Sequence, residues 1–111
     1  MLGLKTHRWN HIFRQDGKTL IVAMDHAGAF GTVPGLENPG ETLRKVRAGG
    51  ADAILTTYGV ATRFAEDIGD LGLILRVDGG STRLAKERGP MRLIYDVYDA
   101  LRIGADAVGA M

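Results

Sequence analysis

The sequence predicts an α/β fold in which parallel strands alternate with helices. Three short apolar runs, at residues 19–24, 53–55 and 73–77, end in polar or glycine residues, which is typical of buried strands in a parallel sheet. A repeat supports this order, because RAGGADAI at 47–54 is matched by RIGADAV at 102–108 and each copy joins a helix end to a strand. The copies are about two βα units apart, at ~25–30 residues a unit, which predicts β-α-β-α-β-α-β with parallel strands.

The composition is that of one globular domain. Hydrophobic residues make up 45% of the 111 residues and charged residues 24%, a balance that excludes a disordered chain. The 16 glycines are roughly twice the average share and imply many tight turns. We expect a single domain over residues 1–111.

Charge and residue usage exclude several classes of function. Fourteen Lys and Arg balance thirteen Asp and Glu, so no nucleic-acid partner is expected. The absence of Cys excludes disulfides and thiol nucleophiles, and it is typical of a reducing compartment. The longest unbroken apolar run is residues 20–24, and no apolar segment follows the basic residues of the N-terminus. We therefore expect a cytoplasmic protein without a membrane partner.

The first half of the chain supplies a helix, a strand, a loop and a second helix. Trp9, Ile12 and Phe13 have the spacing of an amphipathic helix over about residues 6–13. The run at 19–24 is expected to be a strand buried on both faces, and the glycine-rich stretch 27–35 is expected to be a long loop.

Helix signals are strongest after this loop. Asn38 is a suitable N-cap, Pro39 suits the first helical position and Glu41 completes a box-like pair, while Gly49 and Gly50 end the helix.

The second half repeats the alternation. A second strand at 53–55 precedes a short helix at about 59–66, and the third strand at 73–77 runs out at Asp78. Residues 83–91 are charged and are expected to form a loop. Asp96 then caps a helix with Val97, Ala100 and Leu101 on one face, Gly104 ends it, and a fourth strand begins at Ala107.

Two architectures fit this order of elements. One is about half of a (β/α)₈ TIM barrel, with strands one to four in this chain, and the other is a small open doubly wound sheet. In both, functional side chains lie at the carboxyl ends of the strands.

Asp25 and His26 directly follow the most hydrophobic strand and are the candidate catalytic residues. A carboxylate there can hold a substrate hydroxyl or transfer a proton, and a histidine can titrate near neutral pH. The structural alternative is that Asp25 accepts hydrogen bonds from loop amides and that His26 packs against the fold.

The exits of the second and third strands supply candidate substrate-binding residues. Arg76 and Asp78 alternate with apolar residues, and Arg76 could pair with Asp25 or with a substrate anion, although a structural ion pair fits equally well. Tyr58 follows the second strand, where lining the mouth and ordinary packing are equally consistent with the pattern. Tyr95 is assigned no chemistry.

Two further patterns are weak. His7 and His11 are spaced i, i+4 but lack a third ligand nearby, so no metal site is predicted. Residues 27–31 match neither Gly-x-Gly-x-x-Gly nor a Walker pattern, so backbone clearance explains their glycines better than a phosphate cradle does.

Three motifs, in the same order, carry a resemblance to a known family. GKTLIVAMDH at 17–26, LRVDGGST at 75–82 and GADAVG at 104–109 make the chain similar to the N-terminal half of the archaeal-type class I fructose-bisphosphate aldolases. Their relatives include the aminodideoxyheptulosonate synthases and the thiolase of autoinducer-2 breakdown. The resemblance implies a (β/α)₈ barrel, a phosphorylated ketose-like substrate, a lysine Schiff base that needs no cofactor, and a homo-oligomer.

The family's Asp-His-Gly motif corresponds here to Asp25, His26 and Ala27. The resemblance implies that Asp25 contacts substrate hydroxyls and assists proton transfer. This chain has Ala27 in place of the glycine and Phe30 where the fructose-bisphosphate aldolases have a second histidine. These departures leave the substrate open among the relatives.

No lysine of the chain is expected at the mouth of the barrel. Lys18 starts the first strand at the opposite end, Lys45 lies on a helix, and Lys5 and Lys86 lie in a tail and a loop. In the family the Schiff-base lysine is on strand six, the proton-transferring tyrosine is near strand five, and the phosphate-binding loops follow strands seven and eight. All of these fall beyond Met111.

The sequence thus predicts a class I aldolase that cleaves a phosphorylated ketose such as fructose 1,6-bisphosphate, with the 111-residue chain inactive on its own. One alternative is an aldolase-like transferase or thiolase acting on a related sugar phosphate. The other is a non-catalytic half-barrel that associates with itself or with another half, because an open sheet exposes an apolar face and unpaired edges.

Overall fold

The computed structural model describes residues 6–80, 82–87 and 89–111. Lys5 in the predicted tail, Ser81 in the third-strand motif and Arg88 in the predicted loop lie outside the described residues. The elements are α1 (Thr6–Ile12), β1 (Ile21–Met24), α2 (Ala27–Phe30), α3 (Pro39–Ala48), β2 (Ala53–Thr56), α4 (Tyr58–Arg63), α5 (Ala65–Ile68), β3 (Gly72–Arg76), β4 (Asp78–Gly79), β5 (Arg92–Leu93), α6 (Val97–Arg102) and β6 (Ala107–Gly109).

Four strands form one parallel sheet in the order β1-β2-β3-β6, and β4 and β5 form a separate antiparallel pair. In one row of the large sheet, Met24 lies beside Thr56, Thr56 beside Leu75, and Leu75 beside Val108. The strand order follows the chain without a reversal, whereas a doubly wound sheet reverses its order at a switch point. The partial barrel is therefore confirmed and the doubly wound alternative is wrong.

The hydrophobic core lies between the sheet and its connecting helices. Right-handed crossovers carry successive helices to the same face of a parallel sheet. Strand residues of one parity therefore meet α3 to α6, and Leu43 and Leu75 are both fully buried. The core residues from strands and helices include Met24, Ile54, Leu73, Leu75, Leu43, Ala61, Ile68 and Ala100.

The opposite face of the sheet is only partly covered. On this face Ile21 of β1 retains 42% of its surface, and Leu55 and Ile74 are partly exposed. The expectation that the first strand is buried on both faces is wrong, because β1 is an edge strand and the connecting helices cover one face of the sheet. The face that carries Ile21, Leu55 and Ile74 is the one that lines the interior of a closed barrel.

The amino-terminal end of the sheet is closed by α1 and by two repeated aspartates. Asp52 accepts a hydrogen bond from the Leu20 amide at 2.7 Å, and Asp106 accepts one from the Leu73 amide at 2.9 Å. Arg14 binds Asp52 at 3.2 Å, and His11 Nδ1 lies 2.6 Å from Asp106. The repeat seen in the sequence is therefore a repeated contact between a strand, its neighbour and the N-terminal segment.

Helix caps follow the predicted chemistry. Asn38 accepts a hydrogen bond from the Glu41 amide at 3.3 Å, with Pro39 at the first position of α3. Asp96 and Asp99 form a reciprocal capping box at the start of α6, with distances of 2.8 and 3.0 Å. Both helices thus begin where a side-chain acceptor satisfies an unpaired amide.

Three local predictions need correction. The predicted loop at 27–35 begins with one helical turn, α2. The single helix predicted at 59–66 is divided into α4 and α5, because Phe64 leaves the helical conformation with φ −116°. On α6 only Ala100 of the predicted apolar face is buried, since the sheet that it faces ends at the short edge strand β6.

The antiparallel pair β4–β5 was not predicted. Asp78 pairs with Leu93 and Gly79 with Arg92, directly after β3. Gly80 makes this close pairing possible, because a Cβ there would overlap the backbone of Pro90 and Met91. The pairing brings the residues before α6 over the exit of β3.

Within the described ranges, no helix is both long and apolar enough to cross a membrane.

Candidate active site

The carboxyl ends of β1, β2 and β3 surround one cavity of about 200 Å³. Four of the predicted site residues line it: Asp25, Tyr58, Arg76 and Asp78. Asp25 follows β1, Tyr58 begins α4 after β2, and Arg76 and Asp78 lie at the end of β3 and the start of β4. Parallel strands place these exits on the same edge of the sheet, which is why residues distant in sequence meet here.

An ion cluster forms the polar wall of the cavity. Arg76 Nη1 donates to Asp25 Oδ2 at 2.6 Å, and Arg76 Nε donates to the Asp78 carboxylate. The side chains of Asp25, Arg76 and Asp78 are 13%, 18% and 4% exposed. Partial burial strengthens such bonds, since less water competes for the charges. Two carboxylates and one guanidinium leave this wall with one net negative charge.

The cluster shifts the pKa values of two of its members. The hydrogen bond from Arg76 lowers the pKa of Asp78 below its ordinary value, and the Met111 amide, 2.7 Å from Asp78 Oδ2, lowers it further. The hydrogen bond to Asp78 raises the pKa of Arg76 above its ordinary value, against the opposing effect of burial. Asp78 and Arg76 are therefore both charged at neutral pH.

Two stacked tyrosines form the aromatic wall. The rings of Tyr58 and Tyr95 are 4.7 Å apart at an interplanar angle of 12°. Thr57 caps α4 by accepting from the Val60 amide, which orients the start of the helix that carries Tyr58. Tyr95 donates its amide to the Val77 carbonyl at 3.1 Å, beside the exit of β3.

Sequence reasoning missed Tyr95, together with Met91 and Ile94, which also line the cavity. These residues reach the site only through the β4–β5 pairing. No local pattern in the sequence indicates that pairing, because it is two residues long and joins segments separated by a loop.

The structure places His26 outside the residues that line the cavity. Its backbone begins α2, where its carbonyl accepts from the Phe30 amide at 2.9 Å, and its side chain is exposed. Phe30 and the described lysines, Lys18, Lys45 and Lys86, are also absent from the lining.

His7 and His11 do not form part of a larger ligand cluster. Their rings make an edge contact at 4.7 Å, and His11 binds Asp106 on the side of α1. Among the described residues there is no group of three or more His, Cys, Asp or Glu side chains able to hold a metal ion.

A parallel sheet in chain order, with polar side chains at its carboxyl edge, defines the chain as part of a TIM-barrel protein. The family model described as DeoC/LacD family aldolase matches residues 19–111, and the chain belongs to this family. The resemblance carried by the three sequence motifs is confirmed.

Two relatives show how the chain compares with characterised members. It is 41% identical over 104 residues to a 2-amino-3,7-dideoxy-D-threo-hept-6-ulosonate synthase of Halobacterium salinarum, covering 94% of this chain and 38% of that protein. It is 31% identical over 110 residues to a class 1 fructose-bisphosphate aldolase of Thermoproteus tenax, covering 94% of this chain and 40% of that protein. The chain thus spans about two fifths of the length of these relatives.

Solved structures agree with the barrel. An archaeal fructose 1,6-bisphosphate aldolase superimposes with a TM-score of 0.78 at 29% identity, over 96% of this chain and 43% of that one. A second, with its catalytic lysine covalently bound to the carbinolamine intermediate of the substrate, gives 0.74 at 30% identity, over 96% of this chain and 43% of that one.

Proposed function

We propose that this chain supplies the first part of the active site of a class I aldolase, which makes or breaks a carbon–carbon bond in a phosphorylated ketose through a lysine Schiff base. The observation that carries the proposal is the Asp25–Arg76–Asp78 cluster on a cavity at the carboxyl ends of the strands. Family membership supports the same chemistry.

Asp25 is the proposed proton-transfer and hydroxyl-binding group. Arg76 donates a hydrogen bond to its Oδ2, which fixes the orientation of the carboxylate. A carboxylate fixed in this way can accept a hydrogen bond from a substrate hydroxyl and move a proton during cleavage. Tyr58 is proposed to contact the substrate from the opposite wall, and His26 would act only if substrate or another segment extended beyond the cavity.

The nucleophile is proposed to come from outside this chain. A class I aldolase needs a lysine whose free amine attacks the ketone, releases water and leaves an iminium that accepts the bonding electrons on cleavage. None of the described lysines lines the cavity. The family resemblance assigns the lysine to strand six, so the 111-residue chain alone is expected to be inactive.

Borohydride trapping tests the proposal in the full-length protein that carries this chain. With dihydroxyacetone phosphate as the probe, reduction should leave a covalent adduct on one lysine, detected by mass spectrometry. Asp25→Asn should lower kcat for ketose cleavage by about 10²–10⁴-fold. Asp70→Asn is the matched control, because Asp70 is 89% exposed and is absent from the cavity lining. A parent protein that yields no adduct and no cleavage would refute the aldolase proposal.

A second candidate function uses the same Schiff-base chemistry but transfers the cleaved fragment of the ketose to a second acceptor. The synthase of Halobacterium salinarum is more similar to this chain than the Thermoproteus tenax aldolase, at 41% against 31% identity. Phe30 in place of the aldolases' histidine points the same way. Product analysis separates the two, since transfer consumes a second carbonyl compound and simple cleavage does not.

Self-association of a non-catalytic half-barrel is a candidate of another class. It is favoured by the half-exposed apolar side chains Ile21 and Val108 on the two edge strands.

A further inference from the structure

One buried polar side chain lies in the hydrophobic core rather than in the wall of the cavity. Within the part of the chain that the structure describes, the buried polar residues are Asp78, a member of the ion cluster, and Thr56. Thr56 ends β2 and lies between Met24 and Leu75, both core residues, in one row of the sheet. A hydroxyl among apolar side chains loses its hydrogen bonds to water, so it needs a partner within the protein.

The partner of Thr56 is the last residue of β1. Thr56 Oγ1 donates a hydrogen bond to the Met24 carbonyl oxygen at 3.0 Å, across the sheet from β2 to β1. Both residues are buried, so water does not compete for this bond. The branched side chain of threonine has few rotamers, which keeps the hydroxyl in place. The bond therefore fixes the end of β1 relative to β2.

Asp25 follows Met24 directly and is held through the same peptide unit. The Met24 carbonyl, the Asp25 amide and the Asp25 Cα lie in one plane, so fixing the carbonyl also fixes the point from which the carboxylate projects. Arg76 of β3 holds the carboxylate itself, at 2.6 Å from Oδ2. Asp25 is thus held at two points, its preceding peptide by Thr56 and its side chain by Arg76.

Proton transfer depends closely on such placement. The transferring group must lie within hydrogen-bond reach of the reacting atom, and a displacement of about 1 Å can cost ~10²-fold in rate. A carboxylate is placed this accurately only when the residues that support it are themselves fixed. A bond that holds the end of β1 therefore bears on the rate as well as on the stability of the sheet.

We propose that Thr56 is a positioning residue for Asp25, acting through the Met24 carbonyl. The inference rests on the proposed aldolase function, and it adds a residue that is absent from the cavity lining. The hydroxyl, not the shape of the side chain, carries the role. Valine has nearly the same shape as threonine but cannot donate a hydrogen bond, so the two properties can be separated by substitution.

Two substitutions in the full-length protein test the role, with D-fructose 1,6-bisphosphate as the substrate. Thr56→Val removes the donor, and we expect kcat for cleavage to fall about tenfold with KM within about twofold of the parent value. Thr56→Ser keeps the donor but loses a methyl group from the core, so kcat should stay within about twofold while the urea midpoint falls. A purely structural role predicts instead that kcat follows stability in both variants.

A double-mutant cycle tests whether Thr56 acts through Asp25. In an Asp25→Asn background, Thr56→Val should lower kcat no further, because the carboxylate that it positions is already absent. Losses that add would show that Thr56 acts on another part of the protein, and the inference would be wrong.

Thr42→Val is the matched control. Thr42 Oγ1 also donates to a backbone carbonyl, that of Gly35, but Thr42 is absent from the cavity lining. Its kcat should equal that of the parent. If Thr56→Val keeps the parent kcat, or Thr56→Ser loses as much as Thr56→Val, the positioning role is overturned while the aldolase proposal stands. A parent protein that forms no borohydride-trapped adduct and cleaves no ketose overturns both.

Discussion

Arg76 is the residue on which the polar wall of the cavity depends. It binds one carboxylate that directly follows β1 and one from β4, and all three side chains are largely buried. Replacing it with an uncharged residue would leave two carboxylates facing each other without a cation, which is more costly than losing an exposed ion pair. The same double pairing leaves Arg76 poorly suited to bind a substrate anion, so we now favour a role in orienting Asp25.

The pH dependence of stability follows from Asp78. Because its folded pKa lies below the ordinary value near 3.8, it stabilises the fold above that value and loses this contribution as pH falls through the folded pKa. We expect Asp78→Asn to lower the urea midpoint at pH 7. The difference from the parent should shrink progressively below pH 3.8.

Urea titrations of both proteins from pH 7 to pH 2 measure this difference. Asp70→Asn, at an 89% exposed carboxylate, should track the parent throughout. A gap between Asp78→Asn and the parent that is as large at pH 2 as at pH 7 would contradict the ionic explanation.

At the scale of elements, the repeated aspartates fasten each βα unit to its neighbour. Asp52 precedes β2 and binds the amide before β1, and Asp106 precedes β6 and binds a β3 amide. Each carboxylate also binds a side chain from the N-terminal segment, Arg14 or His11. The repeat therefore closes the amino-terminal end of the sheet, opposite to the cavity.

Removing these aspartates should have unequal effects. Asp106→Ala leaves the amide of the buried Leu73 without its acceptor, and we expect a loss of about 1–3 kcal/mol in the free energy of unfolding. Asp52→Ala should cost less, because Leu20 is exposed and water can replace the carboxylate.

Chemical denaturation measures the free energy, and hydrogen exchange at the Leu20 and Leu73 amides locates the change. Asp16→Ala is the control, since Asp16 accepts a hydrogen bond from the nearby Lys18 amide in an exposed turn. A larger loss for Asp52→Ala than for Asp106→Ala would contradict the burial argument.

The helix α1 packs closely against β3 at Gly72. A Cβ on Gly72 would lie 2.5 Å from the His11 carbonyl oxygen, so Gly72→Ala must push α1 away from the sheet. Overpacking of this kind costs about 1–3 kcal/mol. Urea unfolding should show that loss for Gly72→Ala, whereas Gly59→Ala, with open space around its Cβ, should show none. Equal stability of the two variants would mean that α1 does not lie as described.

For the whole molecule, the uncovered face of the sheet is the dominant feature. Ile21 lies on this face at the edge strand β1, and Val108 lies on the helix-bearing face at the other edge strand, β6. Each is close to half exposed. An apolar face with two unpaired edges associates with a complementary surface, whether the rest of a barrel or a second copy.

We therefore expect the isolated 111-residue chain to self-associate at tens of micromolar. Multi-angle light scattering should show species larger than the 11.9 kDa chain. Ile21→Lys and Val108→Lys should shift the distribution towards monomer, because a charge on an edge strand opposes pairing. Lys substitution at Leu84, which is 95% exposed in the loop after β4, is the control and should leave association unchanged. A parent chain that stays monomeric would exclude the self-association candidate.

The fold and most of the candidate site could be predicted because their determinants are local. Apolar runs and caps such as Asn38 and Asp96 each act within a few residues. The parallel order then places Asp25 and Arg76 at one edge of the sheet without further information.

The sequence by itself determined the alternation of strands and helices, the family and the carboxyl edge at which Asp25, Arg76 and Asp78 meet. Only the tertiary structure decided which face of the sheet is covered, that His26 lies outside the cavity, and that Tyr95, Gly28 and Gly59 line it. The physical reason is the distance along the chain between the residues that interact. Periodicity and capping are set by neighbouring residues, whereas the covered face and the cavity walls depend on contacts between segments that no local pattern brings together, above all the two-residue pairing of β4 with β5.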